Sequence, residues 1–338
     1  MILVLNCGSQ SIKWKVYDTN LKLAKEGRRV VVGQETFEKF LREEIGHISS
    51  MGITKIGHRV VHGKDIFLEP TQIDEKNIKA LEVLNSLAPL HNPYNTLGIK
   101  VCQEIFPETP QIAIFDTEFF ASLPEVAFTY ALPRHIADES GFRRYGFHGI
   151  SHEYVAKEAA KQLKKPFEKL KIITCHLGGG SSVAAIKDGA AVDASMGFTP
   201  MQGLVMMTRS GDMDPGVILE LCKKFGVEKA EEILNKESGI KGICGDEDML
   251  SVLSKIKAGD IVAKLAFDVF IYSIQKYIGA YFAILGGCDV LVFTGSIGEG
   301  DPLTRESICK NLDILKKTKI LAIKTDEELA IAQKIVSY

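Results

Sequence analysis

A strand, a turn of small polar residues and a second strand occur together twice in this chain, at its start and near its middle. The first copy has an apolar strand over residues 2–5 and an alternating strand over residues 12–17. The second copy has strands over residues 171–175 and 183–186, and its turn again combines glycine with serine. Because the copies lie about half the chain apart, the recurrence predicts a duplicated domain.

Helices are predicted between and after these hairpins. Residues 261–285 carry apolar side chains at helical spacing, and helical patterns also cover residues 217–224, 305–315 and 326–336. A further buried strand, over residues 289–294, runs into a glycine-rich turn. Strands that alternate with helices predict an α/β fold.

The composition indicates a soluble protein with two domains. Its 338 residues exceed the usual size of one domain. The formal net charge of −2 does not suggest a nucleic-acid or anionic membrane partner. The seven cysteines are odd in number and form no CxxC pair, so we expect reduced thiols in a cytoplasmic protein. No signal peptide is expected, and the apolar window 277–297 is interrupted by glycines and Asp289, so we expect no membrane span.

Three glycine-containing turns directly follow strands, at residues 6–11, 176–182 and 295–300. Backbone N–H groups in such turns can point together at phosphate oxygens, and glycine lets the main chain approach closely. One turn alone is typical of a tight hairpin, whereas three in one chain favour phosphate binding. The sequence lacks GxxxxGK[ST], a GxGxxG after the first strand and the protein-kinase motif set, so it does not indicate those nucleotide-binding classes.

Two arginines and one aspartate border segments that we predict to be buried. Arg59 lies in the apolar stretch 57–63, and Arg209 follows the apolar run 204–207. Guanidinium groups suit carboxylate and phosphate oxygens, although a surface salt bridge explains either arginine equally well. Asp116 follows a buried strand, where a carboxylate can bind magnesium.

Several other polar residues have ordinary structural explanations as well. His91, His148 and His176 adjoin apolar residues, and such histidines are usually satisfied core groups. No HExxH or similar spacing proposes a zinc site. Glu327 and Glu328 open a predicted helix, where their charges would offset the helix dipole.

Together these segments resemble the acetate kinase family. The matching stretches occur in the family's order, span almost the whole chain and include several long, unusual motifs. They are LVLNCGSQSIK, IGHRVVHG, LAPLHNPYN, IAIFDTEF, RRYGFHGISHEYV, CHLGGGSS, DASMGFTPMQGLVMMTRSGDMDPG, FDVFIYSIQKYIGAY, LVFTGSIGEG and TDEELAIA.

The resemblance implies an α/β fold of two duplicated actin-like, or ribonuclease H-like, domains with an active-site cleft between them. The N-terminal domain would comprise residues 1–118 and a returning C-terminal helix over 328–338, and the nucleotide-side domain residues 119–327. The resemblance further implies a homodimer and reversible, Mg²⁺-dependent phosphoryl transfer between ATP and acetate, giving acetyl phosphate and ADP.

The resemblance also implies roles for individual residues. The implied catalytic residues are Arg59, His91, Asp116, His148 and Arg209. The implied substrate-binding residues are Arg59, Val61, Leu90, Phe147 and Pro200. The implied nucleotide- and phosphate-binding residues are Ser9, Ser11, Lys13, His176, Gly178, Gly180, Ser181, Asp246, Ser296 and Gly298. The implied metal-binding residues are Asn6 and Glu327. Because a carboxylate is already a nucleophile, we expect Asp116 to organise magnesium or substrate rather than to remove a proton.

The chain departs from the family pattern chiefly on the nucleotide side. Residues are missing between positions 18 and 57 and between positions 216 and 245. Asp248 stands where the family has an arginine, and Gly179 and Gly300 each replace an asparagine. Ser296 is also changed. The family's FDTAFH stretch reads FDTEFF here, so Phe120 replaces a histidine.

Alternative functions stay open at this point. Acetate is favoured as the acceptor, but a propionate or butyrate preference would need only a small change in the pocket. Asp248 adds negative charge near a polyphosphate, so a guanine nucleotide or pyrophosphate is an alternative donor. A non-catalytic, actin-like nucleotide-binding protein is a further alternative, and the intact set of catalytic residues argues against it.

Overall fold

The structure is a computed structural model, and it describes residues 1–9, 11–31, 34–89, 91–336 and 338. The strands are β1 (Ile2–Gly8), β2 (Ser11–Tyr17), β3 (Leu23–Val30), β4 (Lys55–Val60), β5 (Thr71–Gln72), β6 (Gln111–Phe115), β7 (Ile172–Leu177), β8 (Ser181–Lys187), β9 (Ala190–Ala194), β10 (Val290–Thr294) and β11 (Lys319–Ala322). The α-helices are α1 (Gln34–Gly46), α2 (Glu75–Val83), α3 (Asn92–Ile105), α4 (Glu125–Phe128), α5 (Arg134–Ser140), α6 (Gly149–Leu163), α7 (Pro215–Phe225), α8 (Val227–Glu232), α9 (Gly239–Cys244), α10 (Met249–Lys257), α11 (Ile261–Leu285), α12 (Gly295–Gly298), α13 (Pro302–Cys309) and α14 (Glu327–Val336).

Inter-residue contacts divide the chain into two units. Unit 1 consists of Met1–Ala121, His148–Tyr154 and Asp326–Tyr338, and unit 2 of Ser122–Phe147 and Val155–Thr325. The C-terminal helix α14 therefore belongs with the start of the chain. The domain bounds predicted from the sequence stay a prediction.

The sheet of unit 1 has the strand order β3-β2-β1-β4-β6-β5. Strands β1, β4 and β6 run parallel to one another, whereas β2 and β3 continue from β1 as an antiparallel meander. The apolar residues of β1 are buried on both of its faces. Leu3 and Leu5 pack with α1 and α3, while Ile2 and Val4 pack with α14. Helices thus cover both faces of the sheet, as is typical of parallel strands.

The sheet of unit 2 has the strand order β11-β10-β7-β8-β9. Strands β7, β10 and β11 are parallel, and β8 and β9 extend β7 as an antiparallel meander. The long helix α11 packs on this sheet, and its Phe270 and Ile274 lie in one core with Ile173 and Cys175 of β7. Burial of these apolar side chains is the main contribution to the stability of the unit.

The two sheets repeat one topology. In each sheet, a three-stranded antiparallel meander is followed by two parallel strands on the other side of its first strand. Strands β1, β2 and β3 correspond to β7, β8 and β9, and β4 and β6 correspond to β10 and β11. This correspondence confirms the predicted duplication.

Helix α11 has the bounds predicted from its apolar spacing. The Asp260 side chain accepts hydrogen bonds from the backbone of Val262 (2.9 Å) and Ala263 (3.0 Å) at the start of the helix. Gly286 ends it in the left-handed conformation, at φ 62°. The predicted helix end, turn and buried strand in window 277–297 are confirmed. Among the described residues, no helix combines the length and apolar character that a membrane crossing requires.

One local prediction near the C-terminus is wrong, and another gains detail. The helix expected over residues 305–315 is α13, which starts earlier because Asp301 caps it and ends at Cys309. Lys310 has extended backbone and Asn311 a φ of 68°, so the helix cannot continue, and a short 3₁₀ turn follows. The glycine-rich turn over 295–300 contains the single helical turn α12.

Candidate active site

A bidentate ion pair lies where two neighbouring strands of unit 1 end. Arg59 is near the end of β4 and Asp116 directly follows β6, and these strands pair in parallel. Nε of Arg59 donates to Oδ1 of Asp116 over 3.0 Å, and Nη2 donates to Oδ2 over 2.7 Å. The Asp116 side chain is only 1% exposed. A carboxylate this deeply buried requires such a partner, since breaking a buried pair costs about 3–5 kcal/mol.

The remaining guanidinium nitrogen of Arg59 binds a second carboxylate. Nη1 lies 2.9 Å from Oε2 of Glu327, the first residue of α14. Burial alone lowers the pKa of Arg59, but attraction to Asp116 and Glu327 outweighs burial and raises it overall. Burial raises the pKa of the Asp116 carboxyl, and the positive charge of Arg59 opposes that rise. Arg59 is therefore a permanent cation between two acidic groups.

Asp326, which precedes α14, and Glu328 in its first turn make three further polar contacts with the β1–β2 hairpin. Nζ of Lys15 lies 2.8 Å from Oδ1 of Asp326 and 3.6 Å from Oε2 of Glu328. The amide nitrogen of Asn6 donates to Oε1 of Glu328 over 3.2 Å. Contacts of Lys15, Asp326 and Glu328 at this site could not be predicted from the sequence, because only the tertiary fold brings α14 back to this hairpin. For the two acidic residues, the one signal in the sequence was the acidic run Asp326-Glu327-Glu328.

The start of α6 packs directly on Asp116. The backbone N–H of Gly149 donates to the Asp116 carbonyl over 2.9 Å, and a Cβ added at Gly149 would lie 2.3 Å from that oxygen. A backbone hydrogen bond from His148 lowers the pKa of the Asp116 carboxyl. His148 has a φ of 59°, in the left-handed region that non-glycine residues rarely adopt. Such strain is often found at functional sites.

Two asparagines of α3 fix the loop that follows β4. Oδ1 of Asn95 accepts a hydrogen bond from the Val61 backbone over 3.1 Å, and Oδ1 of Asn92 accepts one from the His62 backbone over 3.0 Å. The amide nitrogen of Asn95 also donates to the carbonyl of Cys7 over 2.6 Å. Asn92 and Asn95 therefore hold the chain beside Arg59, a role that the sequence analysis missed although both lie in the motif LAPLHNPYN.

The other predicted residues of unit 1 lie in these elements. Val61 is buried, and His91 precedes α3 at its N-cap position. Leu90, predicted for the acyl pocket, lies outside the described residues. Asn6 and Lys13 are directly opposite each other in the β1–β2 hairpin, and Gly8 is opposite Ser11. Ser9 is in the turn that joins the two strands.

The corresponding hairpin of unit 2 contains the second glycine turn. His176 ends up within β7 and Ser181 begins β8, so the turn itself is shorter than predicted. The backbone N–H of Gly178 donates to the carbonyl of Gly180 over 3.1 Å, and the Ser181 hydroxyl donates to the Gly178 carbonyl over 3.2 Å. The structure thus brings Gly178, Gly180 and Ser181 together.

The third glycine turn meets the second one. Oγ of Ser296 lies 3.4 Å from where a Cβ of Gly178 would be. Gly295 has a φ of 80°, and a Cβ there would lie 2.4 Å from the Leu177 carbonyl oxygen, so only glycine fits. Gly298 is buried in the same short helix α12. The two turns that were predicted to bind phosphate therefore form one feature of unit 2.

Arg209 is largely buried in unit 2, and it has no carboxylate partner among the described residues. Its Nη1 donates to the carbonyl of Pro200 over 3.1 Å, which brings together two predicted site residues. Burial lowers the pKa of Arg209. An arginine nevertheless stays protonated in proteins, so the group is a desolvated cation that an anion would stabilise. Phe147, predicted for the acyl pocket, is 1% exposed and forms part of the core.

The acidic loop over residues 245–248 has partners of its own. Oδ2 of Asp246 lies 2.9 Å from Nζ of Lys255, and hydrogen bonds to that lysine and to Ser251 lower the pKa of Asp246. Asp248 caps α10, since its carboxylate accepts a hydrogen bond from the Ser251 backbone over 3.0 Å. Helix capping thus accounts for the aspartate that replaces the family's arginine.

The donor chemistry around Arg59 fits a hard divalent cation. Among the described residues, no three His, Cys, Asp or Glu side chains are grouped to hold a metal ion. Mg²⁺, however, usually keeps several waters and binds one or two carboxylates together with substrate phosphates. Asp116 and Glu327 supply carboxylate oxygens, and Asn6 supplies an amide oxygen, because its nitrogen is the atom that contacts Glu328. The residues present therefore fit the predicted ion.

Comparisons with known proteins identify relatives over nearly the whole chain. The family model described as the acetokinase family matches residues 32–335. The acetate kinase of Helicobacter acinonychis is 45% identical, over 98% of this chain and 97% of that protein. The alignment has 388 positions, more than the 338 residues of this chain, so it includes stretches that this chain lacks.

Solved structures give the same result. The crystal structure of Porphyromonas gingivalis acetate kinase has a TM-score of 0.90 and 34% identity, over 99% of this chain and 98% of that one. A propionate kinase from Francisella tularensis has a TM-score of 0.89 and 35% identity, over 98% of each chain. The predicted actin-like fold of two α/β domains is confirmed.

Proposed function

The chain belongs to the acetokinase family, and we propose that it is an acetate kinase. It transfers the terminal phosphoryl group of ATP to the carboxylate of acetate, giving acetyl phosphate and ADP, and it catalyses the reverse reaction. The buried guanidinium of Arg209 is the single observation that carries the proposal. A cation that is removed from water and contacts no carboxylate among the described residues is suited to an anionic substrate.

The proposed reaction forms one bond and breaks another. An acetate oxygen attacks the γ-phosphorus of ATP, the bond to the β–γ bridging oxygen breaks, and ADP leaves with that electron pair. The nucleophile carries no proton, so no general base is needed. Catalysis then rests on positioning and on positive charge around the three equatorial oxygens.

The residues of the site divide these tasks between them. Arg209 offers its remaining N–H groups to the transferring phosphoryl group or to the acetate. Arg59 is held in place by two carboxylates, and it supplies a fixed positive charge beside them. The imidazole of His148 donates a hydrogen bond to a phosphoryl oxygen, and the strained backbone of this residue fixes where the ring projects. His91, at the start of α3, is a further polar contact for the substrate.

Magnesium belongs to the proposal. When bound, Mg²⁺ would neutralise charge on the phosphates, and Asp116, Glu327 and Asn6 are the residues that would hold it, directly or through water. The two carboxylates are kept in place by Arg59, so they need no rearrangement to accept the ion.

The hairpin turns are the proposed phosphate contacts. In unit 1 these are Ser9, Ser11 and Lys13, and in unit 2 the turn formed by Gly178, Gly180, Ser181 and Ser296, with His176 and Gly298 beside it. Lys13 makes no ion pair within the described part of the chain, so its ammonium can bind phosphate. Val61, Leu90, Phe147 and Pro200 stay the residues predicted to contact the acyl group.

The residues expected to contact the nucleotide differ from the family pattern, and their charges bear on the identity of the donor. Because Asp248 acts as a helix cap and Asp246 is paired with Lys255, neither is an unbalanced negative charge that would repel a polyphosphate. The charge of Asp248 is therefore no reason of its own to replace ATP by pyrophosphate as the proposed donor. The role of Asp246 in nucleotide binding stays a prediction.

The homodimer and the cytoplasmic location that the family resemblance implies also belong to the proposal. Apolar residues exposed on α11, among them Ile261 and Leu265, suit a dimer interface.

Propionate is the second candidate acceptor. It is favoured by the likeness to the Francisella tularensis propionate kinase, which nearly equals that to the acetate kinase structure. One extra methylene changes binding by only about 1–3 kcal/mol, so residue identities in the pocket do not separate the two acids.

A hydroxamate assay tests the proposal. The purified protein is incubated with acetate, propionate or butyrate, each with ATP, GTP or pyrophosphate, and the acyl phosphate is trapped with hydroxylamine. We expect the highest kcat/KM with acetate and ATP. A higher value with propionate would select the second acceptor, product only with pyrophosphate would overturn the donor, and no product with any pair would reject the proposed activity.

A further inference from the structure

One lysine of α14 lies between two carboxylates that come from different parts of unit 1. Nζ of Lys334 is 2.5 Å from Oε1 of Glu118 and 2.7 Å from Oε2 of Glu153. The three side chains are only 22%, 10% and 16% exposed, so water screens them weakly. This three-residue group, the Lys334 bridge, is not part of any role assigned above.

The Lys334 bridge joins the three chain segments that carry the site groups of unit 1. Glu118 is two residues after Asp116, and Glu153 lies in the first turns of α6, which His148 precedes. Lys334 itself is seven residues after Glu327, about two helical turns along α14. Asp116, His148 and Glu327 are thus each close in sequence to one member of the bridge.

The segments that bear Asp116 and Glu327 are therefore bridged twice. Arg59 binds Asp116 and Glu327 at the start of α14, and Lys334 binds Glu118 further along the same helix. Two separated bridges prevent the helix from rotating or sliding against the turn at 116–118. The apolar contacts of α14, through Ile331 and Ile335, are not directional and do not fix that register alone.

Lys334 is the positively charged member of the bridge, and its ammonium group lies between two carboxylates. Burial alone lowers the pKa of Lys334, but its two carboxylate partners raise it overall. Oε2 of Glu118 is buried and has no hydrogen-bond partner among the described residues. Lys334 therefore neutralises a group that burial and repulsion between carboxylates would otherwise destabilise.

We propose that Lys334 is a positioning residue for the reaction, and that it acts by holding the first turn of α14, and with it Glu327, in register with Asp116. The inference rests on the proposed function. Glu118 is part of the same device, and it stands where the family's FDTAFH stretch has alanine. Glu118 thus places a partner for Lys334 in the turn that carries Asp116.

The test compares variants in the hydroxamate assay with acetate and ATP. Lys334→Met should lower kcat about 10-fold, as is typical when a residue that orients a ligand-binding side chain is removed, with a smaller change in the acetate KM. Lys334→Arg should recover most of the loss, because a guanidinium can also bind two carboxylates. Lys100→Met removes an exposed ion pair with Glu82 in the same unit, and should leave kcat unchanged.

A double-variant cycle separates positioning from a general effect on folding. If Lys334 acts through Glu327, the variant Lys334→Met/Glu327→Gln should be no slower than Glu327→Gln alone. Amide exchange in the first turn of α14 should also be faster in Lys334→Met and unchanged in Lys100→Met. If Lys334→Met does not fold, Glu118→Ala takes its place and should lower kcat several-fold, again without a further effect in the Glu327→Gln background.

The outcomes separate the two proposals. An inactive unaltered protein refutes the proposed function. With an active protein, an unchanged kcat in Lys334→Met, or effects that multiply in the double variant, would refute the inference alone.

Discussion

The two arginines predicted to bind substrate, Arg59 in unit 1 and Arg209 in unit 2, differ in what surrounds each of them. Arg59 uses its guanidinium nitrogens on Asp116 and Glu327, whereas the guanidinium of Arg209 donates to the carbonyl of Pro200 and contacts no carboxylate among the described residues. A cation with two carboxylates is a fixed part of the structure, and a cation without one is open to a ligand. We therefore expect the loss of Arg209 to weaken substrate binding and turnover strongly, and to change the stability of the fold little.

Replacement of Arg209 by alanine should lower kcat/KM by about 10²–10³, or about 3–4 kcal/mol, as for loss of a donor to transition-state charge. The thermal midpoint should not fall, because the variant no longer buries an unpaired cation. Arg209→Lys serves as the comparison, since it keeps the charge but loses the planar fork, and it should recover only part of the rate. Hydroxamate kinetics and thermal unfolding measure both effects, and undiminished turnover in Arg209→Ala would refute the role assigned to this side chain.

The role of a residue could be predicted from the sequence where the residue lies in a recognisable motif. It could not be predicted where the role depends on contacts that only the tertiary fold creates. Arg59, Asp116 and Glu327 were each placed by the family resemblance, and the structure brings them together. The contacts of Lys15 and Glu328 depend on α14 returning to a hairpin more than 300 residues earlier in the chain, which no local pattern encodes. That Asp248 adds negative charge near the donor stays a prediction, and the sequence alone did not show that this residue also caps α10.

At the scale of elements, parallel strands set the position of the chemistry. The parallel pairing of β4 and β6 puts Arg59 and Asp116 at one edge of the sheet. The β-hairpins and α11 were predictable because their periodicity is strong and their ends carry glycine, asparagine or aspartate. The helix over 305–315 was not, because its true start depends on Asp301 and Pro302, and its end on the backbone of Lys310 and Asn311.

A buried histidine in the β4–β6 strand pair should make the stability of the protein depend on pH. His58 of β4 is 1% exposed, and burial lowers its pKa from 6.5 to about 4, although a 2.7 Å hydrogen bond to Gln111 of β6 opposes the shift. Because the pKa is lower in the folded state than in the unfolded state, the stability contribution is complete above pH 6.5. It is lost as the pH falls to about 4, and it amounts to about 3 kcal/mol.

Chemical denaturation at pH 7 and pH 4 measures this dependence. The unaltered protein should lose about 3 kcal/mol more of its unfolding free energy between these values than His58→Gln, which cannot take up the proton. His135→Gln, at an exposed histidine of α5, is the matched control and should behave like the unaltered protein. An equal pH dependence in His58→Gln would contradict the assignment of a neutral, buried His58.

At the scale of the whole molecule, the sheets of the two units share one strand topology. In each unit, a turn of small residues joins the two strands of the first hairpin. Ser9 lies in this turn in unit 1, and Gly178–Gly180 form it in unit 2. The sequence revealed this duplication through two short hairpins, because hairpin turns keep their small residues. It did not reveal which helices cover each sheet, since that depends on contacts between distant segments.

The central claim is that this chain passes a phosphoryl group between an acyl phosphate and a nucleotide. Phosphorus NMR of the purified protein with acetyl phosphate, ADP and Mg²⁺ follows the reverse reaction directly. The account predicts that the acetyl phosphate signal declines while the three resonances of ATP appear, and that EDTA stops the change. Slow loss of acetyl phosphate to inorganic phosphate, at the rate seen without protein and with no ATP formed, would contradict it.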